Sequence, residues 1–263
     1  MSTKVIIMGA GAASGVPSLS NGWGFCDASN PKNIRHRIGT YYNFDGTEIL
    51  VDTSPDLRQQ LLDNQINRLD AVLYTHAHAD HLHGIDDLRE INRINLSNLD
   101  IYATDKTLKD IKTRFSYLIT DSQTIKDVIS SPCLVAHKIK CNHEFFIHDV
   151  KITPLKLCGH NVPSNGYLFN DGEVAHIADF KWLPSSTIKL LQSKKIKLLI
   201  MPLTTPNGTR YHASLEEVLQ YIDMIKPQKT ILNHMASECD YQIVDLRTPK
   251  NVFPAYDCMQ LDL

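Results

Sequence analysis

No apolar run in this chain approaches the roughly 18 residues that a helical membrane span requires, so no membrane partner is expected. There is no surplus of charge of one sign. Lys and Arg total 27 against 29 Asp and Glu, a formal net charge of −2, which gives no overall field to attract nucleic acid. The short basic runs at residues 32–37 and 194–197 read as solvated surface. None of the six cysteines stands in a C-x-x-C pair, and they are expected to be buried thiols rather than a disulfide framework. The apolar part of the segment Met1-Ser2-Thr3-Lys4-Val5-Ile6-Ile7-Met8-Gly9 is too short for a secretory signal. It reads as a first strand, and the expected location is the cytoplasm. Internal repeats, low-complexity tracts and Pro/Gly/Ser linkers are missing too. Residues 1–263 are therefore expected to form a single domain.

What is present is a core-forming composition, 43% hydrophobic and 21% charged, arranged as alternating strands and helices. Strands are predicted near residues 4–8, 39–45, 48–52 and 70–75, with Asp45-Gly46 as a hairpin turn. A helix over 55–64 is predicted, with Ser54 as N-cap and Pro55 at its first position. Further helices are predicted over 85–93 and 105–118. Strands are then expected at 144–149, 151–157, 165–169 and 173–178, the last two joined by Asn170-Asp171-Gly172. A helix at 185–193 leads to an apolar strand at 196–201. Ser214 and Glu217 form a capping box for a helix over 215–225, and a strand at 230–232 follows. Two halves of strands followed by helices predict an α/β fold, a four-layer αββα sandwich.

The twelve histidines are unevenly spread, with His76, His78, His81 and His83 inside eight residues. The apolar strand Leu69-Asp70-Ala71-Val72-Leu73-Tyr74-Thr75 runs straight into His76-Ala77-His78-Ala79-Asp80-His81. The end of a strand is a common place for an active site. Histidines two apart can share one side of an extended segment, and small Ala77 and Ala79 let the chain turn tightly. Asp80 and His81, in a non-helical turn, can point away from the first pair, so one segment can serve two neighbouring ions. Imidazole and carboxylate are ligands that zinc and similar metals accept. A plain His-rich surface loop is the competing reading.

This run resembles the H-x-H-x-D-H signature of the metallo-β-lactamase superfamily. Downstream, His160 in Leu157-Cys158-Gly159-His160-Asn161, Asp179 in Ala175-His176-Ile177-Ala178-Asp179 and His234 in Ile231-Leu232-Asn233-His234-Met235 resemble its remaining ligand motifs. The resemblance implies two divalent metal ions, zinc or manganese. One would be held by His76, His78 and His160, the other by Asp80, His81 and His234, with Asp179 bridging. His83, His137, His143, His148 and His176 have no such support and read as structural or surface residues.

Several further stretches resemble the phosphonate-pathway (PhnP-type) phosphoribosyl cyclic phosphodiesterases. They are the loop Gly9-Ala10-Gly11-Ala12-Ala13-Ser14-Gly15-Val16-Pro17, the segment from Cys26 through Asn30-Pro31-Lys32-Asn33 to Arg35 and Arg37, and Val51-Asp52-Thr53-Ser54-Pro55-Asp56. Also similar are His83-Gly84-Ile85-Asp86-Asp87-Leu88-Arg89 and Tyr211-His212-Ala213-Ser214. The Gly-rich loop reads either as an anion cradle built from backbone N–H groups or as a tight turn. Many members of that branch carry a C-x-C-x-x-C cluster for a separate structural zinc. Here only Cys26 remains, with Asn21 and Trp23 at the other two positions, so no third metal is expected, and Trp23 and Phe25 are expected to pack the loop by burial. The resemblance implies hydrolysis of a small cyclic or nucleotide-like phosphodiester by water activated at the metals, with Asp80 or Asp179 orienting the nucleophile. His212 would protonate the leaving group, or else is a residue of the following helix's capping region. Arg58, Arg89 and Arg210 would contact phosphate or are ordinary surface arginines. The branch implies a homodimer. Rival readings are a tRNA 3′-end endonuclease, an ester, thioester or lactam hydrolase, and a non-catalytic ligand-binding member. Only 18 residues separate His160 from Asp179, too few for the long basic arm of the endonucleases, and no nucleic-acid partner is expected.

Overall fold

In the computed structural model, which describes residues 2–120 and 133–263, the strands form two sheets. The first half supplies β1 (Thr3–Gly9), β2 (Gly39–Phe44), β3 (Thr47–Val51), β4 (Ala71–Leu73), β5 (Leu99–Thr104), β6 (Ile119–Thr120) and β7 (Leu134–Ile139). Between them lie α1 (Leu57–Asp63), α2 (Ala79–Leu82), α3 (Leu88–Asn95) and α4 (Asp105–Arg114). The second half supplies β8 (Phe145–Ile147), β9 (Val150–Lys156), β10 (Asn165–Phe169), β11 (Val174–His176), β12 (Leu198–Pro202), β13 (Lys229–Asn233) and β14 (Val252–Pro254). Its helices are α5 (Ser185–Gln192), α6 (Leu215–Ile225) and α7 (Tyr241–Leu246). The last strand, β15 (Met259–Asp262), crosses back to the first sheet, whose order is β15-β1-β2-β3-β4-β5-β7-β6. The second sheet runs β14-β13-β12-β11-β10-β9-β8.

The two-residue period of a strand explains the layering. On β1, Val5 and Ile7 join the core between the sheets, while Ile6 and Met8 face the opposite way. On β2, Tyr42 and Phe44 point inward beside Phe169, and Tyr41 points outward. The outward side chains of the first sheet are covered by Leu57 and Leu61 of α1, Leu88 and Ile91 of α3, and Leu108 and Ile111 of α4. Leu191 of α5 and Val218 and Ile222 of α6 join the core on the other side. The two sheets with helices on both outer faces make the expected four-layer αββα sandwich.

Several boundaries differ from those expected. The first helix starts two residues later than expected, and Ser54 does not cap it. The Ser54 hydroxyl donates to Gln60 and accepts from the Asp56 N–H, so it closes a local turn. The capping box of Ser214 and Glu217 is present. Asp80 and His81 lie in the one-turn helix α2, not in a non-helical turn. Gly84, just after it, touches the Ser54 carbonyl so closely that a Cβ there would lie 1.9 Å from that oxygen. Arg35 is buried, contrary to the expectation of a solvated basic run; it donates to Asn33 and to the Cys239 carbonyl. Phe25 is 80% exposed, and Trp23 is half-buried. Polar contacts instead hold that loop: the Cys26 thiol and the Asn21 amide both bond to Ser237. All six cysteines are free; Cys26, Cys133 and Cys239 are buried as expected, but Cys141 and Cys158 are only half-buried and Cys258 is exposed.

Candidate metal centre

Strands β3, β4 and β5 run parallel, as do β11, β12 and β13. Their C-terminal ends are where side chains can be presented without disturbing the sheet hydrogen bonds. The residues of interest leave these ends. His76, His78, Asp80 and His81 follow β4; Asp179 follows β11; Thr204 follows β12; His234 follows β13. His160 follows β9 after Gly159, whose φ of +82° and contacts with Lys181 and Trp182 leave no room for a side chain.

The structure brings together all seven residues singled out as ligands. His76, His78, His160 and Asp179 form one group and Asp80, His81 and His234 another, with the donor atoms of each group within 4.8 Å of one another. His78 Nδ1 lies 3.0 Å from His76 Nε2 and 3.1 Å from His160 Nε2. Asp80 Oδ2 is 3.4 Å from His81 Nε2 and 3.3 Å from His234 Nε2. Asp179 stands between the groups: Oδ2 is 3.8 Å from His160 Nε2 and 3.7 Å from His81 Nε2, and Oδ1 is 3.5 Å from His234 Nε2. Donors 2.0–2.2 Å from a tetrahedral ion lie about 3.3–3.6 Å apart, so these spacings suit cations.

The opposite edges of the rings strengthen that fit. His81 Nδ1 donates to Asp52 Oδ2 at 2.7 Å, and His76 Nδ1 to the Thr75 hydroxyl at 3.0 Å, which itself donates to Asp52. His160 Nδ1 is 3.4 Å from the Tyr211 carbonyl, and His234 Nδ1 is 3.1 Å from the Thr204 hydroxyl. A ring nitrogen that donates on one edge offers a lone pair on the other, as metal-binding imidazoles do. The inward atoms His81 Nε2 and Asp179 Oδ1 are buried with no hydrogen-bond partner. Such orphans are costly unless something else satisfies them, and a cation would.

The electrostatics run the same way. Burial works against a charge on His81, but Asp80, Asp52 and Asp179 outweigh it and push the ring up to about 10. Burial alone would raise Asp80; His81 and His234 reverse that and hold its carboxylate well below the usual range. Burial pushes His160 down to about 4. Asp52 and His234 have left-handed backbones, at φ +63° and +58°, and such strain persists where the surroundings dictate it.

The cluster floors an open cleft of about 350 Å³. Ala12, Ala13 and Ser14 form one wall, and Asn161, Tyr211 and His212 line it as well. The Gly-rich loop is not an anion cradle over its whole length: the N–H groups of Ala10, Gly11, Ala12, Gly15 and Val16 are already bonded to protein oxygens. His212 stands beside the cluster, its Nδ1 4.0 Å from Asp179 Oδ2 and 3.1 Å from the Thr204 hydroxyl. It belongs to neither donor group. Arg58, Arg89 and Arg210 are not among the residues lining the cleft; Arg210 lies over the Tyr211 ring, 5.4 Å from its centroid. Asp52, Thr75 and Thr204 were not singled out from the sequence as site residues. Asp52 lies in a stretch noted for its resemblance and Thr75 ends the strand that leads into the histidine run, but neither carries a ligand signature of its own.

Residues 47–235 match the family model described as the beta-lactamase superfamily domain. The chain is 29% identical over 265 residues to an octanoyltransferase of Porphyromonas gingivalis, covering 98% of this chain and 51% of that protein. It thus spans about half of that relative's length. Among solved structures, a diphosphatase from the PhnP family superposes with a TM-score of 0.89 at 25% identity, covering 100% of this chain and 98% of the other. The short form of human tRNase Z superposes at 0.69 and 18% identity, covering 98% of each chain, a likeness of fold.

Proposed function

The chain belongs to the beta-lactamase superfamily, and from that premise we propose that it is a metal-dependent hydrolase of a small phosphoric diester or diphosphate ester. The observation that carries the proposal is the pair of donor groups meeting at Asp179 on the floor of a cleft of about 350 Å³. Such a cleft accepts a small molecule. The likeness to a PhnP-family diphosphatase over the full length supports phosphorus chemistry. The short connection between His160 and Asp179, the hairpin of β10 and β11, carries no long basic arm and so favours a small substrate over a polynucleotide.

In this reading His76, His78 and His160 would hold one divalent cation and Asp80, His81 and His234 a second, with Asp179 near enough to serve both groups. Bound there, the ions would supply Lewis acidity for the phosphoryl oxygens and activate water for in-line attack. The protein's own groups do the rest. Asp52 and Thr75 fix the His81 and His76 rings. Asp80 and Asp179, kept ionised by the surrounding histidines, orient the attacking water by accepting its hydrogen bonds. His212 donates its ring N–H to the departing oxygen, and the wall at residues 12–14 limits the substrate to a compact one.

The test is turnover by the zinc- or manganese-loaded protein on a panel: a cyclic phosphodiester, a linear nucleotide diester, a dinucleoside diphosphate, an acyl thioester and a β-lactam. Cleavage confined to the phosphorus compounds is expected. Cleavage of the thioester alone would reject the proposal. That second reading, acyl hydrolysis, is favoured by one observation, the relative called an octanoyltransferase. It ranks second because half of that relative lies outside the matched region.

A further inference from the structure

Thr204 stands where two rings with different duties meet. Its hydroxyl is 3.1 Å from His234 Nδ1 and 3.1 Å from His212 Nδ1, and no other partner of that hydroxyl is found among the described residues. A hydroxyl has one proton to give and lone pairs to receive, so the two contacts are not independent. His234 Nε2 faces Asp80 and Asp179, the position of a ligand. A ring that ligates through Nε2 carries its proton on Nδ1 and donates it to Thr204. The Thr204 proton then has His212 Nδ1 as its remaining partner among the described residues; were the hydroxyl to accept from both rings, that proton would be left without one.

We propose that Thr204 is a positioning residue that hands on the tautomer of His234: it keeps His212 neutral, with its proton on Nε2, so that His212 acts on the substrate as a hydrogen-bond donor. The inference rests on the reading that His234 is a metal ligand and that His212 faces the substrate. It changes the role of His212 in one respect. A neutral ring stabilises the departing oxygen by an N–H hydrogen bond, in the manner of a preorganised oxyanion donor, and does not give up its proton outright; the oxygen takes its proton from water in the open cleft. It also means that cation binding at the Asp80, His81 and His234 group arms His212 without touching it. With His234 unliganded, its Nδ1 need not donate, and the direction of the Thr204 hydroxyl is undetermined.

The test reads the tautomer directly. In zinc-loaded protein with nitrogen-15 histidine, the ring signals of His212 are assigned by their loss in His212→Gln. A neutral ring protonated on Nε2 is expected. Thr204→Val, held at saturating zinc, should give a mixture of tautomers or the Nδ1–H form, and Thr204→Ser should restore the wild-type pattern. A doubly protonated or Nδ1–H ring in the wild type overturns the inference, as does a pattern indifferent to Thr204→Val. On whichever phosphoric ester is cleaved, Thr204→Val should lower kcat about 10–100-fold, the usual effect of losing such a partner. The signals are read without substrate, so a protein that cleaves no phosphoric ester refutes the functional reading and leaves the relay standing.

Discussion

Replacing Asp52 with Asn is the sharpest probe of how the cluster is tuned. Three donors converge on this carboxylate, which is 1% exposed: the Thr75 N–H at 2.8 Å, the Thr75 hydroxyl at 2.7 Å and His81 Nδ1 at 2.7 Å. Asn is nearly the same size and tolerates the left-handed backbone at this position. Its oxygen can still receive the Thr75 N–H, and its NH2 can donate to the rotatable Thr75 hydroxyl. That NH2 then faces His81 Nδ1 at 2.7 Å, donor against donor. The ring relieves the clash by moving its proton to Nε2, the atom that faces Asp80 and Asp179, and a protonated nitrogen cannot ligate. Zinc affinity at the group of Asp80, His81 and His234 should fall about 10–100-fold, or about 1.4–2.7 kcal/mol. The group of His76, His78 and His160 should change little. Ala at this position would be a poor substitute, because it strands three buried donors at about 1–3 kcal/mol each. Competition with a chromophoric chelator measures the two affinities, and its pH dependence gives a second reading. In the metal-free protein His81 is a cation up to about pH 10, so an ion must displace its proton, and affinity should rise with pH until about 10. The same shift stabilises the metal-free fold fully below the unfolded value of about 6.5 and is lost as pH rises through about 10. Without the Asp52 charge the folded value moves to lower pH, and with it the pH at which affinity levels off and the stabilisation is lost, while the unfolded value stays. Wild-type affinity at both groups in Asp52→Asn would refute the reasoning.

His212→Gln should keep its zinc and lose about 10²–10³ in kcat, the usual cost of one donor aimed at developing charge; loss of metal in parallel would make it a ligand. Asp179→Asn removes a carboxylate that approaches both groups, so elemental analysis after gel filtration should find fewer ions per chain, and two tightly bound ions would reject the bridging role. Burial holds His176 down at about 3, so it folds neutral and takes up a proton on unfolding. Its contribution is present above pH 6.5 and lost as pH falls towards about 3, at about 1.4 kcal/mol per pH unit. Urea titrations at pH 6.5 and 4.5 should show this slope in the wild type and a smaller one in His176→Gln. Tyr42→Phe leaves His176 Nδ1 without the phenol that contacts it at 2.7 Å, and should cost about 1–3 kcal/mol in the same assay.

The sequence is readable where its pattern is local. Alternation along residues 4–8 marks β1, Asn170-Asp171-Gly172 marks the β10 and β11 hairpin, and Ser214 with Glu217 marks the start of α6. β5, β7, α7 and β15 have weaker local signals. The edge strand β15 takes its place only by pairing with β1 across the whole chain. Arg35 looks like surface in a basic run, yet it is buried because Ala236 and Cys239, some 200 residues later, come to receive it. Asp80 and His81 became helical because the turn is fastened from outside, by the Thr53 N–H on the His81 carbonyl and the Thr53 hydroxyl on Leu82.

The seven candidate ligands were legible for a chemical reason that does not extend to their supports. Only a few side chains bind a borderline cation well, so His and Asp at strand ends announce themselves. Each imidazole also needs an oxygen for its outer N–H, and any oxygen serves. This chain uses a carboxylate for His81, a hydroxyl for His76 and another for His234, and a backbone carbonyl for His160. One task met by three kinds of group, 1 to 51 residues away in sequence, leaves no motif to read. The support of the site is therefore where the three-dimensional arrangement adds most. It is also where a single exchange, Asp52→Asn or Thr204→Val, separates holding an ion from using it.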